Sequence, residues 1–390
     1  MVVRDVQPTF LKALSSFPVV SLTGPRQSGK STLCRTLLPG KPYQNLELPD
    51  LRAFAVDDPR GFLAQFPGGA IIDEVQRAPD LLSYLQPIVD EDPTPGRWVL
   101  TGSQNFGMME KVTQSLAGRA GVLRLLPMSR SEIVRFPSYP QSLNQSLFAG
   151  GYPRIFDRNL DPAEWLAAYV ATYVERDVRA VAQIRDLSVF QRFLQLCAGR
   201  TGQLLSITAL AADSGISQPT AKAWLSILEA SSIVFRLQPW HTNLTKRLTK
   251  TPKLHFIDTG LACWLLGIRS SDQLRLHPLR GAIFESFIAG EVLKHRANSG
   301  ESAGLYFYRD SSHLEADLLI DRGTSRTIIE IKAGQTVNDD LLKPLFKVRE
   351  EISAAGPVEA LAVYGGDLLQ PRSNLTVVPW SRLHEHQRLL

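Results

Sequence analysis

Through the first third of the chain, short apolar runs alternate with helical stretches. "PVVSL" is a β-branched run of buried-strand type, and "KSTLCRTLL" after it carries helical spacing. "GGAIID" and "RWVLTGS" repeat the apolar strand pattern, and the run "GVLRLLP" closes the series near residue 126. Strands alternating with helices predict an α/β domain built on a parallel sheet. From 141 to 200 the pattern turns helical, clearest in "PAEWLAAYVATYVERDVRAVAQI". "SITALAADSGISQPTAKAWLSILEASSIVFRLQPW" then reads as helix, tight turn, helix, strand. Ser206 caps the first of these helices, and Gly215 occupies the turn. Ala221, Trp224, Leu225 and Leu228 make the buried face of a helix over Gln218–Glu229. In the last third, "GAIFESFIAGEVLKHR" predicts an amphipathic helix, and "LYFYRD", "HLEADLLID" and "RTIIEIKAG" predict strands.

Candidate chemistry sits at the seams of this pattern. "TGPRQSGKST" joins the first strand to its helix, and strand, Gly-x4-Gly-Lys-Ser, helix is the context of a phosphate-binding loop. Gly24, Pro25, Arg26, Gln27, Ser28, Gly29, Lys30, Ser31 and Thr32 form the expected nucleotide cradle. Its glycines let backbone N–H groups turn inward, and the helix N-terminus adds partial positive charge. Lys30 is expected on the β- and γ-phosphates and Ser31 on Mg²⁺. Asp73 and Glu74 end an apolar strand, where Asp73 is expected to hold the same Mg²⁺ and Glu74 to activate water. At the end of "RWVLTGSQN", Ser103, Gln104 and Asn105 are alternative contacts for the γ-phosphate or the water. Arg119 is either a finger reaching a neighbouring subunit's nucleotide or a surface ion-pair residue. Glu175, Arg176 and Asp177 form a charge cluster on the middle helix.

The helix-turn-helix is followed by "TNLTKRLTK", a basic loop between two strands. Lys246, Arg247 and Lys250 in this loop, with Lys222 on the second helix, are the candidate DNA contacts; a packing role for the same module is the alternative. In "RTIIEIK", Glu330 and Lys332 share one face of a strand, and Asp317 on a neighbouring strand can join them. With Glu285 these residues follow a nuclease-like order. Asp317 and Glu330 are the expected metal ligands there, and Glu330 and Lys332 the expected catalytic pair. Either an active nuclease or an inactive copy of the fold keeps such residues.

As a set, "SLTGPRQSGKSTL", "AIIDEVQRAPDLL", "WVLTGSQNF", "SLAGRAGVLRLLPMSRSEI", "GGYPR" and "YVERDV" resemble the bacterial and archaeal AAA+-like ATPases that carry a C-terminal domain of unknown function. That resemblance implies an ATPase core, a helical and winged-helix middle and a restriction-endonuclease-like C-terminal domain. The latter resembles the PD-(D/E)xK pattern, with Ala316-Asp317 in place of the usual Pro-Asp pair. The boundaries expected are 1–140 for the ATPase core, 141–200 for the helical lid, 201–258 for the winged helix and 259–390 for the nuclease-like domain. ATP and Mg²⁺ are the expected cofactors. DNA, read by structure rather than by sequence, and further copies of the chain, in a ring, are the expected partners. A switch whose C-terminal domain binds a partner without catalysis is the alternative; a small-molecule kinase fits poorly, because Asp73-Glu74 favours water as nucleophile.

Bulk properties restrict little beyond this. The chain has 390 residues, 44% hydrophobic and 21% charged, with a net charge of +5. That composition is globular and permits an anionic partner without requiring one. No apolar run is long enough to span a membrane, and "MVVRDVQPTFLKALSSFPVVSLTG" lacks the apolar core of a signal peptide. Cys34, Cys197 and Cys263 have no metal spacing and are expected to be reduced, buried thiols of a cytoplasmic protein.

Overall fold

The computed structural model describes residues 2–103, 115–172, 186–241, 251–301, 303–373 and 375–389. Two compact units are present. Unit 1 comprises Met1–Met128 with Ala230–Ser232 and Ala297–Glu301; unit 2 comprises Ser129–Glu229, Ile233–Arg296 and Ser302–Leu390.

Unit 1 is built on a five-stranded sheet of β1 (Val19–Gly24), β2 (Tyr43–Asn45), β3 (Ile71–Asp73), β4 (Trp98–Ser103) and β5 (Ala120–Arg124), in the order β2-β3-β4-β1-β5. Every pairing is parallel. Alternate residues feed two cores. Val20, Leu22, Ile71 and Val99 pack with Phe10, Leu33 and Cys34 on one face. Val19, Ile72, Trp98 and Leu100 pack with Phe62, Leu81, Leu85 and Val89 on the other. A sheet covered on both faces explains why its strands read as unbroken apolar runs. All functional strand ends lie on the carboxyl edge, where open parallel sheets bind ligands.

Unit 2 carries a nine-stranded sheet in the order β13-β14-β12-β11-β10-β9-β7-β8-β6. Its strands are β6 (Gln203–Leu204), β7 (Val234–Pro239), β8 (Lys253–Phe256), β9 (Leu305–Arg309), β10 (Glu315–Asp321), β11 (Arg326–Lys332), β12 (Val358–Tyr364), β13 (Gln370–Arg372) and β14 (Leu375–Pro379). The helix-turn-helix precedes β7. Ser206 Oγ accepts from the Ala209 N–H at 3.2 Å, Gly215 turns the chain at φ 72°, and the second helix runs Gln218–Ala230. That helix buries Ala221, Trp224, Leu225 and Leu228, and the Trp224 ring meets Phe190 and Phe193 edge-on.

β7 pairs antiparallel with β8 and parallel with β9, so the strands after the helix-turn-helix continue into the C-terminal sheet. The helix Arg280–Asn298 covers one face through Ile283, Phe284, Phe287 and Ile288 against Leu318, Ile320, Ile329 and Ile331. The helix Asp339–Ile352 covers the other through Leu345, Val348 and Ile352 against Ala316, Leu319 and Ile328. The glycines of "GGYPR" serve this unit's frame: the Gly151 N–H donates to Asp258 Oδ2 at 2.7 Å. Cys34, Cys197 and Cys263 are free and buried. Among the described residues no helix is long and apolar enough to cross a membrane.

Gly69 sets the entry to β3. Its φ is +81°, and a Cβ there would lie 1.9 Å from the Arg97 carbonyl oxygen. Gly69→Ala combines left-handed strain with a clash against backbone, so unit 1 should lose about 3 kcal/mol or more. Chemical denaturation followed by tryptophan fluorescence measures this; unchanged stability contradicts the close approach.

Candidate nucleotide site and the C-terminal carboxylate cluster

The phosphate loop leaves β1 at Gly24 and enters the helix Lys30–Leu37. Gln27 at φ 60° and Gly29 at φ 96° take left-handed conformations, which bend the loop around its own amides. Arg4 braces it from outside, donating to the Ser28 carbonyl at 2.6 Å and the Leu126 carbonyl at 2.9 Å. Lys30 Nζ donates to the carbonyls of Gly24 and Pro25 at 3.0 and 2.8 Å. Burial pushes the Lys30 pKa down to about 8, against the opposing pull of Glu74 and Asp73. Arg26 pairs with Glu47 at 3.0 Å, and Arg77 pairs with the same carboxylate at 3.1 Å.

Asp73 is the hub. Its Oδ2 accepts from Ser31 Oγ at 2.7 Å and from the Tyr43 hydroxyl. Its Oδ1 accepts from the Glu74 N–H at 3.1 Å and from Thr101 Oγ1. Glu74 turns out of the strand at φ 58°, and Gln76 Nε2 donates to its carboxylate. Burial raises the Glu74 pKa, although Lys30 opposes the shift. A carboxylate held toward neutrality is a stronger base once ionised. Burial and the hydrogen bond to Asp73 likewise raise the Tyr43 pKa, so its hydroxyl stays a donor.

Mg²⁺ with a nucleotide takes one or two carboxylates, a hydroxyl, water and phosphate oxygens. Ser31 Oγ against Asp73, beside a loop of inward amides and a reachable lysine, is a donor set that fits MgATP. Ser31, Asp73 and the Lys30 ammonium would hold it.

Other candidates fall further away or outside the described residues. Ser103 ends β4 in register with Gly24, beside the loop. Gln104 and Asn105 lie outside the described residues, as do Glu175, Arg176, Asp177, Lys246, Arg247 and Lys250. Arg119 does not reach this chain's loop. It precedes β5 at the amino edge of the sheet, where its carbonyl accepts from the Val19 N–H, and its guanidinium pairs with Asp90. Lys222 is exposed on the second helix of the helix-turn-helix. Sequence patterns missed Tyr43 and Arg4; Thr101 stood out as a polar residue at the end of an apolar strand, but its part in holding Asp73 was not legible.

In unit 2, Glu285, Asp317, Glu330 and Lys332 come together, with two residues that the sequence did not suggest. Lys253 Nζ lies 2.8 Å from Glu285 Oε1, 2.5 Å from Glu315 Oε1 and 3.7 Å from Asp317 Oδ1. Asp317 Oδ2 accepts from the Ile331 N–H at 2.8 Å. Glu315 also pairs with Arg309 at 2.9 Å, and Glu330 pairs with Lys332. Burial raises the Glu285, Asp317 and Glu330 pKa values, with carboxylate neighbours adding to the shift. The three carboxylates outweigh burial at Lys253 and raise its pKa. A cavity of about 690 Å³ opens beside them, lined by Asp317, Glu330, Lys332, Lys347 and Glu351.

A divalent cation does not fit this second cluster as it stands. Asp317 lies beside the Lys253 ammonium, which Glu285 and Glu315 also hold, and Glu330 pairs with Lys332. Among the described residues no group of three or more His, Cys, Asp or Glu side chains is disposed to hold a metal ion. The expectation of a metal on Asp317 and Glu330 therefore meets a lysine at each carboxylate: Lys253 3.7 Å from Asp317, and Lys332 paired with Glu330.

Fold and loop together define an AAA-like ATP-binding protein. A model of an AAA domain matches residues 16–134. Two domains of unknown function follow, DUF8612 over 140–272 and DUF4143 over 280–383. The uncharacterized proteins Rv2008c of Mycobacterium tuberculosis and Mb2031c of Mycobacterium bovis are each 31% identical over 336 residues, 85% of this chain and 74% of theirs. The chain belongs to this family of AAA-like ATP-binding proteins with a C-terminal domain of unknown function. Among solved structures, the Walker-type ATPase PABY2304 of Pyrococcus abyssi is 16% identical, with a TM-score of 0.43, covering 67% of this chain and 94% of its own. RuvB of Thermotoga maritima is 18% identical, with a TM-score of 0.31, covering 60% and 88%.

Phosphate favours the charged lysine, so ATP binding should raise the Lys30 pKa again. Between about pH 8 and 9, binding should take up part of a proton, and affinity should weaken as pH rises. Calorimetry in buffers of different ionisation enthalpy reads this uptake, and Lys30→Arg should abolish it. Binding enthalpies that ignore the buffer contradict the assignment.

Proposed function

We propose that the protein hydrolyses ATP and uses the nucleotide cycle to control a DNA-binding module. The observation that carries the hydrolytic part is Asp73 bound to Ser31 Oγ, with Glu74 next to it and Lys30 across the loop. MgATP supplies the γ-phosphoryl group and the charge that Lys30 neutralises. Lys30 exchanges the Gly24 and Pro25 carbonyls for phosphate oxygens. Tyr43 and Thr101 hold the Asp73 carboxylate in place, and Glu74 takes the proton of the attacking water. Arg119 lies at the amino edge of the sheet, away from its own loop, so a finger role needs a neighbouring copy; its pairing with Asp90 supports the surface ion-pair reading.

The DNA part rests on the helix-turn-helix, the exposed Lys222 and the basic residues Lys246, Arg247 and Lys250 between β7 and β8. One basic residue on the second helix favours backbone contact over base reading. A second reading, a nucleotide switch whose C-terminal unit binds a partner without catalysis, is favoured by the Lys253 ammonium among Glu285, Glu315 and Asp317. That same ion cluster weighs against Mg²⁺-dependent cleavage by Glu330 and Lys332.

Glu74→Gln should lower ATP turnover by about 10²- to 10⁴-fold while ATP affinity stays within a few-fold. Turnover at the parent rate overturns the base assignment. For DNA, log affinity should fall linearly with log salt. Replacing Lys246, Arg247 and Lys250 by Ala should flatten that slope by about one for each phosphate the protein no longer neutralises. ATP turnover indifferent to linear, single-stranded and branched DNA favours the switch.

A further inference from the structure

We propose that the carboxylate cluster of unit 2 is a lysine-centred site: the Lys253 ammonium is its resident cation, and the cluster takes no divalent metal. Lys253 starts β8, the strand that follows Lys246, Arg247 and Lys250 along the chain, and its side chain is 4% exposed. It reaches the cluster because β7, the partner of β8, is hydrogen-bonded to β9. Three carboxylates from two elements converge on it: Glu285 from the helix Arg280–Asn298, and Glu315 and Asp317 from β10. The Phe307 ring lies 5.4 Å from the same ammonium, closing a further side with a π face.

Part of the remaining ligating capacity is also committed. Asp317 gives its second oxygen to the Ile331 amide, Glu315 its second oxygen to Arg309, and Glu330 one oxygen to Lys332. A divalent cation would have to displace a buried ammonium held by three carboxylates. Otherwise it would sit beside that ammonium as a second positive charge, and either arrangement is costly. A hard cation such as Mg²⁺ also needs several oxygens in near-octahedral array. Here several of those oxygens already meet Lys253, Arg309, Lys332 or a backbone amide. The same residue order that ligates a metal in nuclease-like sheets is thus neutralised from within by a strand of the helix-turn-helix segment. The charge of the cluster is thereby tied to the position of β8.

Mn²⁺ binding by the full, nucleotide-free chain tests this, read by electron paramagnetic resonance and calorimetry at millimolar Mn²⁺. The parent and Asp317→Asn should leave the same Mn²⁺ free. Lys253→Met should gain one bound Mn²⁺ per chain, and adding Asp317→Asn to it should remove that ion. Parent protein that binds a Mn²⁺ lost in Asp317→Asn but kept in Asp73→Asn overturns the proposal. A folded Lys253→Met that gains no Mn²⁺ overturns it too. Should Lys253→Met fail to fold, the comparison of parent with Asp317→Asn decides alone. ATP turnover is not read in this experiment, so failure here leaves the nucleotide-site proposal standing.

Discussion

The Asp73 carboxylate ties the nucleotide unit together. Its four donors come from four places: Ser31 at the start of the loop helix, Tyr43 on β2, Thr101 on β4, and the Glu74 amide just beyond β3. The order β2-β3-β4-β1 sets these groups side by side at the carboxyl edge. β4 lies between the strand of the phosphate loop and the strand of the acid pair, so Thr101 can brace Asp73 while Ser31 meets it from the far side. A buried carboxylate is stable only when its oxygens are satisfied. The same requirement fixes the orientation of the residue expected to meet the metal. Packing and chemistry therefore make one demand at this position.

The two acid clusters of the chain are resolved in opposite ways. At Asp73 every hydrogen-bond donor is neutral, with the Lys30 ammonium near enough to feel its charge, and a hydroxyl such as Ser31 Oγ can turn to share a cation. At Asp317 the nearby partners include the ammonium groups of Lys253 and Lys332. A neutral shell leaves charge for MgATP to compensate; an ammonium among carboxylates leaves little. Removing one member of a buried ion cluster strands the others, typically at a cost of about 3–5 kcal/mol, so Lys253 has a structural part whatever the cavity binds.

Local pattern carried much of this. The loop Gly24–Thr32, the pair Asp73-Glu74 and the face Ala221, Trp224, Leu225 and Leu228 are all set by spacing within one or two elements. Spacing within β11 also places Glu330 and Lys332 on one face. What the pattern left hidden depends on long-range pairing. Tyr43 sits on a three-residue strand whose place beside β3 no periodicity announces. Lys253 lies in "TPKLHF", and only the pairing of β7 with β9 carries it to Asp317. That pairing also joins the strands after the helix-turn-helix to the C-terminal sheet, because a strand's edge gives no sign of its next neighbour. Arg119 after "SLAG" read equally as a finger or as a surface ion-pair residue, because the edge of the sheet it occupies is a matter of topology.

The claim on which most of the account rests is that Asp73, cradled by Ser31, Tyr43 and Thr101, is the carboxylate that receives the magnesium of a bound nucleotide. Titrating ATP into the parent and Asp73→Asn, each with and without Mg²⁺, tests it most directly. The account predicts that Mg²⁺ strengthens ATP binding to the parent and that Asp73→Asn loses most of that gain. An equal gain from Mg²⁺ in both proteins would contradict it.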